Sequence, residues 1–409
     1  MNKNFSANCT IVLTVFALSV LVYHCKNPKI ESGYYSPEVL ATHSSGEHFV
    51  GSETCLECHA DIYTAHKATA HYQTSAVADS SNIEGSFKDG SNTLDLESVK
   101  FTIVSDANSF YQYTEIKNRN IEIPPKKLDV VIGSGVRGQT YATWKEDKLF
   151  QLQPSYYTPN NSWVNSPGYP QHYLERPIRD ACLKCHVTFA VTRNLPGQGN
   201  QYEKDKMMYG IGCEKCHRPS EKHVVYHRKH PDATTAQFMT PLDSLSRQQK
   251  LDVCAQCHSG PRSQILKGNS FSFLAGDNLN DFTKNIASGA LEPIPDVHGN
   301  QYRLLTQSEC FKQATTMDCS TCHNPHQNQR GDFDYFNQKC FDCHKGRSTV
   351  CSAEPEKKHA MGNNCIACHM PVTPSKTMTV QLSPADSLET SFYIRTHLIG
   401  IYPKGSPLN

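Results

Sequence analysis

The rhythm of hydrophobic and polar positions changes several times along the 409 residues. After Lys3 comes an uncharged run, Cys9 to Tyr23 (CTIVLTVFALSVLVY), which has the length of an export-signal core and is short for a membrane span. Residues 1–25 therefore read as a signal, and 26–48, with Pro28, Gly33, Pro37 and Ser44-Ser45-Gly46, as a tether. In the segment 49–81, HADIYTAHKATAH predicts a helix continuing past His59. From about 82 to 170 the pattern alternates. KFTIV, FYQYTEI, KLDVVI, QTYATW and LFQLQPSYY are separated by the turn-rich SDANS, KNRN, GSGVRG and KED, which predicts an antiparallel meander. Residues 171–372 read as helices and turns, and 373–409 as a C-terminal extension. The expected fold is mainly α with long loops, carrying one antiparallel β insertion.

Composition sharpens this. Only 38% of residues are hydrophobic, below the ~45–50% of ordinary domains, so side chains alone would give a thin core. Net charge is +1, from 40 basic and 39 acidic residues. Nothing in that balance points to nucleic acid or to a strongly charged partner.

Cysteine decides the chemistry. Fourteen of the 18 cysteines fall into seven Cys-x-x-Cys-His units. These are Cys55, Cys58 and His59; Cys182, Cys185 and His186; Cys213, Cys216 and His217; and Cys254, Cys257 and His258. Three more crowd together: Cys319, Cys322 and His323; Cys340, Cys343 and His344; and Cys365, Cys368 and His369. Two thiols at this spacing add to the vinyl groups of one porphyrin, and the adjacent His binds its iron. Cys-x-x-Cys alone is also half of a zinc site. His is about one residue in twenty, so finding it after all seven pairs by chance has odds on the order of one in a billion. The units are read as seven haem c sites, with the motif histidines as proximal iron ligands. Seven flat apolar porphyrins would supply the missing buried surface and cross-link the chain, so the chain without haem is not expected to fold.

A low-spin haem needs a second axial ligand. Thirteen histidines lie outside the motifs, and seven stand in segments suited to that role: His66, His71, His172, His223, His298, His326 and His359. The intervals of 21 residues from Cys319 to Cys340 and 25 from Cys340 to Cys365 leave room for a helix and a turn, so neighbouring haems must be close. Gly133 to Gly138 matches the dinucleotide fingerprint, yet it runs into a strand, and no acidic residue lies between Leu149 and Leu174 to meet a ribose. It reads as a turn. Trp144, Trp163, Tyr156, Tyr157, Tyr169 and Tyr173 read as packing residues. Arg176, Arg179, Arg218 and Arg262, close to motifs, read as partners of haem propionates.

Thioether attachment in bacteria occurs outside the cytoplasmic membrane, where disulfides also persist. Export is therefore expected, to the periplasm or to a membrane-anchored position facing the periplasm or the cell surface. Cys25 stands where a lipoprotein would be cleaved and acylated, but Tyr23 and His24 occupy places that favour small residues. Lipidation of Cys25 and an unmodified cysteine in a signal anchor both stay open. Cys310 and Cys351 belong to no motif and flank Cys319 to His344. They are expected to pair as a disulfide, the alternative being two separate buried thiols.

CEKCHRPSEKH, CSTCHNPH, CIACHMP and CLECHADIYTAHKATAHY together resemble the multihaem family of pentahaem cytochrome c nitrite reductases, octahaem hydroxylamine oxidoreductases and the tetrahaem cytochrome that accepts electrons from the latter. The likeness covers the first haem segment and residues 172–372. It implies helices holding alternately stacked and perpendicular porphyrins, with His71, His223, His326 and His359 as distal ligands. The Cys-x-x-Cys-Lys unit of the nitrite reductases is missing, and the cross-linking Tyr of the hydroxylamine oxidoreductases has no evident counterpart.

Two functions follow from the ligand count. If all seven irons carry two imidazoles, the chain is an electron carrier of low potential, exchanging electrons with a membrane quinol oxidoreductase or with other cytochromes. If one iron lacks a distal ligand, it is a reductase or oxidase of a small nitrogen or sulfur compound. Seven candidate ligands for seven irons favour the carrier.

Overall fold

The structure, a computed structural model, describes residues 32–119, 121–285, 294–344, 364–382 and 389–402. The uncharged N-terminal run, Cys25, Cys351 and His359 lie outside the described residues.

The strand segments build two antiparallel sheets, one with alternating burial and one buried in continuous runs. In one, β2 (Thr93–Asp95), β3 (Val99–Asp106), β4 (Ser109–Ile116) and β5 (Glu122–Lys127) follow in chain order. Val99, Phe101 and Ile103 of β3 point inward and are almost fully buried, while Lys100 and Thr102 point out, the period of two that a half-covered strand requires. The other sheet has the order β9 (Ser162–Asn165), β8 (Lys148–Tyr157), β7 (Gly138–Lys145), β6 (Val130–Ile132) and β1 (Ser75–Val77), with β10 (Arg176–Pro177) also on β8. Pro154, which has no N–H to donate, sits in β8 where the register with β7 breaks between Gln151 and Ser155. Gly133 and Gly135, at φ 108° and 80°, make the expected turn between β6 and β7.

The two sheets share one core of Val99, Phe101, Leu128, Tyr141, Leu152 and Trp163. Trp163 donates its indole N–H to Ser86 O (2.9 Å) and packs on Tyr141, its ring centroid 5.3 Å away. A second core, around Phe49, Leu149, Leu183, Val187 and Tyr202, joins the larger sheet to the second motif.

The mainly α expectation is corrected. The chain is about 27% helical and 26% strand. The third and seventh motifs are five-residue helices, the fourth and sixth close longer helices, and the first, second and fifth are helical only in part. The third, α2 (Cys213–His217), ends at once because Arg218 takes φ 71°, turning the chain away. Longer helices are α1 (Ala60–Lys67), α3 (Glu221–Lys229), α4 (Arg247–His258) and α5 (Phe333–His344). After the last motif helix, α6 (Cys365–His369), the chain forms a hairpin of β11 (Val372–Val380) and β12 (Thr390–Arg395). Among the described residues no helix is long and apolar enough to cross a membrane.

Candidate functional site

Most motifs are held by hydrogen bonds from distant segments. At α2, Cys213 N donates to Ser52 Oγ (3.1 Å), satisfying a donor that a helix start leaves open. Glu214 is 2% exposed. Its carboxylate accepts from Val50 N (3.1 Å), Gly51 N (2.8 Å), Ser220 N (2.8 Å) and Ser220 Oγ (2.8 Å). Burial pushes its pKa up against these bonds. The loop leading into the first motif is thereby fastened to the third, and the side chains of Cys55 and Cys213 lie side by side.

The fourth motif closes α4, which starts at a reciprocal cap between Ser246 and Gln249 and buries Leu251, Val253 and Ala255. Its Cys257 meets Cys185 of the second motif, and its Cys254 meets Cys319 of the fifth. Buried Lys184, inside the second motif, donates to Arg262 O (2.9 Å). Cys340 and Cys365 join the sixth motif to the seventh, where Asn337 Oδ1 accepts from Cys365 N (2.9 Å). Motifs thus meet in an order different from the chain's: first with third, second with fourth, fourth with fifth, sixth with seventh.

The imidazoles come in facing pairs. His59 faces His223 with ring centroids 6.5 Å apart and planes 19° apart; His217 faces His326 at 5.9 Å and 9°. His258 faces His71 at 6.1 Å and 79°, and His323 faces His397 at 6.1 Å and 27°. His186 lies within electrostatic range of His298. Metal–imidazole bonds of about 2 Å on each side of one iron put two ring centroids about 6 Å apart, so these pairs fit a bis-imidazole haem iron. The outer nitrogens are occupied as ligand histidines require. His186 Nδ1 contacts Thr74 Oγ1 (3.0 Å), His258 Nδ1 contacts Gln301 Oε1 (3.1 Å), His223 Nδ1 contacts Gln237 O (2.8 Å) and His369 Nδ1 contacts Gly400 O (2.8 Å). Burial lowers the pKa of His71 and of His397 to about 4, keeping both rings in the neutral, metal-binding form.

Other candidates sit elsewhere. Both nitrogens of buried His66 rest against carbonyls, Nε2 on Ile211 O (2.9 Å) and Nδ1 on Pro325 O (3.2 Å), and its ring faces no motif histidine. His172 is exposed. Cys310 is a free thiol whose pKa burial raises, with Cys343 nearby. Arg176 stacks on Tyr169 at 3.7 Å, and Arg218 pairs with Glu47 (2.8 Å). Arg262 is buried among Thr283, Asn280, Ser259 and backbone carbonyls. Three of the four arginines read as propionate partners thus have partners within the protein. His397 went unrecognised in the sequence because RTHLIG carries no local mark of a ligand.

Residues 138–218, spanning the second and third motifs, match the family model described as cytochrome c554 and c-prime. No curated protein matches the chain. Among solved structures, the outer cell wall cytochrome OcwA superposes with a TM-score of 0.53 at 16% identity, over 86% of this chain and 79% of that one. The fold is that of a multihaem cytochrome. An undecahaem cytochrome from the S-layer of Carboxydothermus ferrireducens aligns at 18% identity over 85% of this chain and 53% of its own, with a TM-score of 0.39. For a multihaem cytochrome with Cys-x-x-Cys-His units the prosthetic group is haem c.

Proposed function

We propose that this multihaem cytochrome is an extracytoplasmic electron carrier holding seven haems c, a heptahaem branch of the nitrite reductase and hydroxylamine oxidoreductase superfamily. Haem iron, when bound, supplies one-electron exchange between its ferric and ferrous states. The carrying observation is the set of four imidazole pairs spaced 5.9–6.5 Å apart, each containing one motif histidine. In this reading His71, His223, His298 and His326 are distal ligands, and the chain's own work is to hold rings neutral, orient them through their outer nitrogens and press motif against motif. Supporting a relay is the closeness of attachment cysteines of the second motif to the fourth, of the fourth to the fifth, and of the first to the third. Support for an exported location is the uncharged run at 9–23 and the motif chemistry itself. Partners are other cytochromes or a membrane quinol oxidoreductase, with attachment through Cys25 as a further expectation.

One observation favours the second reading, reduction of a small nitrogen or sulfur compound at an iron with an open position: His66, counted among the seven distal candidates, is engaged by two carbonyls. Haem content by pyridine haemochrome assay is expected at seven per chain, and five or fewer would overturn the count. A wholly low-spin ferric spectrum that ignores nitrite, hydroxylamine and sulfite is expected for a carrier; a high-spin signal responding to any of them, with turnover, would replace that reading by the second.

A further inference from the structure

We propose that His397 is the second axial ligand of the haem carried by Cys319, Cys322 and His323, delivered to it by the C-terminal hairpin. The inference rests on the haem reading of the fifth motif and extends it to a residue outside the helical region. The rings of His323 and His397 face each other at 6.1 Å with planes 27° apart, the spacing and near-parallel arrangement of two imidazoles on one iron. Phe336 braces His323 edge-on, 5.2 Å away. His397 Nδ1 is buried without a hydrogen-bond partner, unlike the outer nitrogens of His186, His223, His258 and His369, so the backbone around His397, and not a bond at that nitrogen, places the ring. That contrasts with His66, fixed at both nitrogens.

Delivery is specific. Thr396 N donates to Pro371 O (3.0 Å), prolonging the hairpin by one rung. Ser308 then clasps the next residues, its Oγ donating to His397 O (3.2 Å) and accepting from Ile399 N (2.7 Å). Gly400 N donates to His369 O (3.1 Å), and Gly400 O accepts from His369 Nδ1 (2.8 Å). The segment from His397 to Gly400 therefore connects the ring facing His323 to the outer nitrogen of His369. With haem bound at both motifs, these four residues would link the fifth site to the seventh, although the motifs are separated in sequence by the sixth.

The test uses the full-length, haem-loaded protein and two variants, His397→Ala and His66→Ala, with haem content checked by pyridine haemochrome assay. Expected from His397→Ala is one additional high-spin ferric haem per chain by electron paramagnetic resonance, reverting to low spin on adding imidazole. His66→Ala is expected to leave the spin count unchanged. An unchanged low-spin spectrum in His397→Ala at full haem content, or a high-spin iron created by His66→Ala in its place, overturns the assignment. If His397→Ala loses haem, His397→Met decides. One couple moving to higher potential with a sulfur-to-iron absorption band supports ligation at 397, and retention of the parental spectrum refutes it. A parent protein whose fifth-motif peptide carries no haem by mass spectrometry overturns both this inference and the reading beneath it.

Discussion

Glu214→Ala removes the acceptor shared by Val50 N, Gly51 N, Ser220 N and the Ser220 hydroxyl. The hydroxyl can rotate to another partner, but three backbone donors are left in a site whose side chain is 2% exposed. A buried donor without a partner costs about 1–3 kcal/mol, and water entering the space left by the side chain recovers one of the three, giving a net loss of about 2–6 kcal/mol. Against a typical total of about 5–15 kcal/mol this is a large share. Guanidinium unfolding of the haem-loaded protein, followed by the Soret band, is expected to shift to a lower midpoint. Hydrogen exchange should accelerate first in peptides around Gly51 and Ser220. Glu214→Gln keeps the shape but turns an NH2 toward N–H donors, so about 1–3 kcal/mol is expected. An Ala variant with the parental midpoint and unchanged exchange at both peptides would refute the idea that this carboxylate ties the first motif to the third.

Glu175 gives an acid-side signature. Burial pushes its carboxyl up, but hydrogen bonds from Lys126, Lys145 and Tyr173 outweigh that and hold it down to about 2. Its contribution is present above its ordinary value near 4.5 and is lost as pH falls toward 2; because the side chain is 32% exposed, screening limits it to about 1 kcal/mol. Glu175→Gln should flatten stability between those pH values, and an unaltered acid limb would contradict it. Ser246→Ala removes the cap of α4 and should lower stability by about 1 kcal/mol in the same denaturant assay. Glu146, at φ 54° in the tight turn between β7 and β8, should gain about 1 kcal/mol on replacement by Gly, read as a higher unfolding midpoint.

Local covalent spacing and two-residue alternation were legible in the sequence; what depends on distant segments was not. The attachment units need only five consecutive residues, and β3 and β4 carry their inward residues in strict alternation, so both could be read directly, whereas β8 is buried continuously from Leu152 to Tyr157. The helical bias came from extending the short helices at motifs into their neighbours, whereas the chain turns at Arg218 and pairs β11 with β12 after His369. Distal histidines are recruited by tertiary structure. His71 lies beyond the end of α1 and is carried to His258; His397 reaches His323 through a hairpin and a serine clasp. His66 has the better helical setting, yet the carbonyls of Ile211 and Pro325 take its ring. Nothing in the immediate neighbours of either residue encodes that exchange.

The bond from Gly51 to Glu214 spans 163 residues, and that interval has a consequence for how the molecule is assembled. Synthesis delivers the N-terminal part first, so the first motif emerges long before the segment that clamps it. Between the two, the chain from Ser75 to Asn165 contains all the strands that close both large sheets except β10, with a core of its own. These strands pair at separations far shorter than 163 residues, so closing the sheets costs less loop entropy than closing the bond from Gly51 to Glu214. They then serve as the platform against which the second and third motifs dock, and the first motif is captured only when Glu214 arrives. Late arrival of the stretch that follows the sheets would lengthen the exposure of Cys55 and Cys58, because the Glu214 clamp protects the first motif only together with the third.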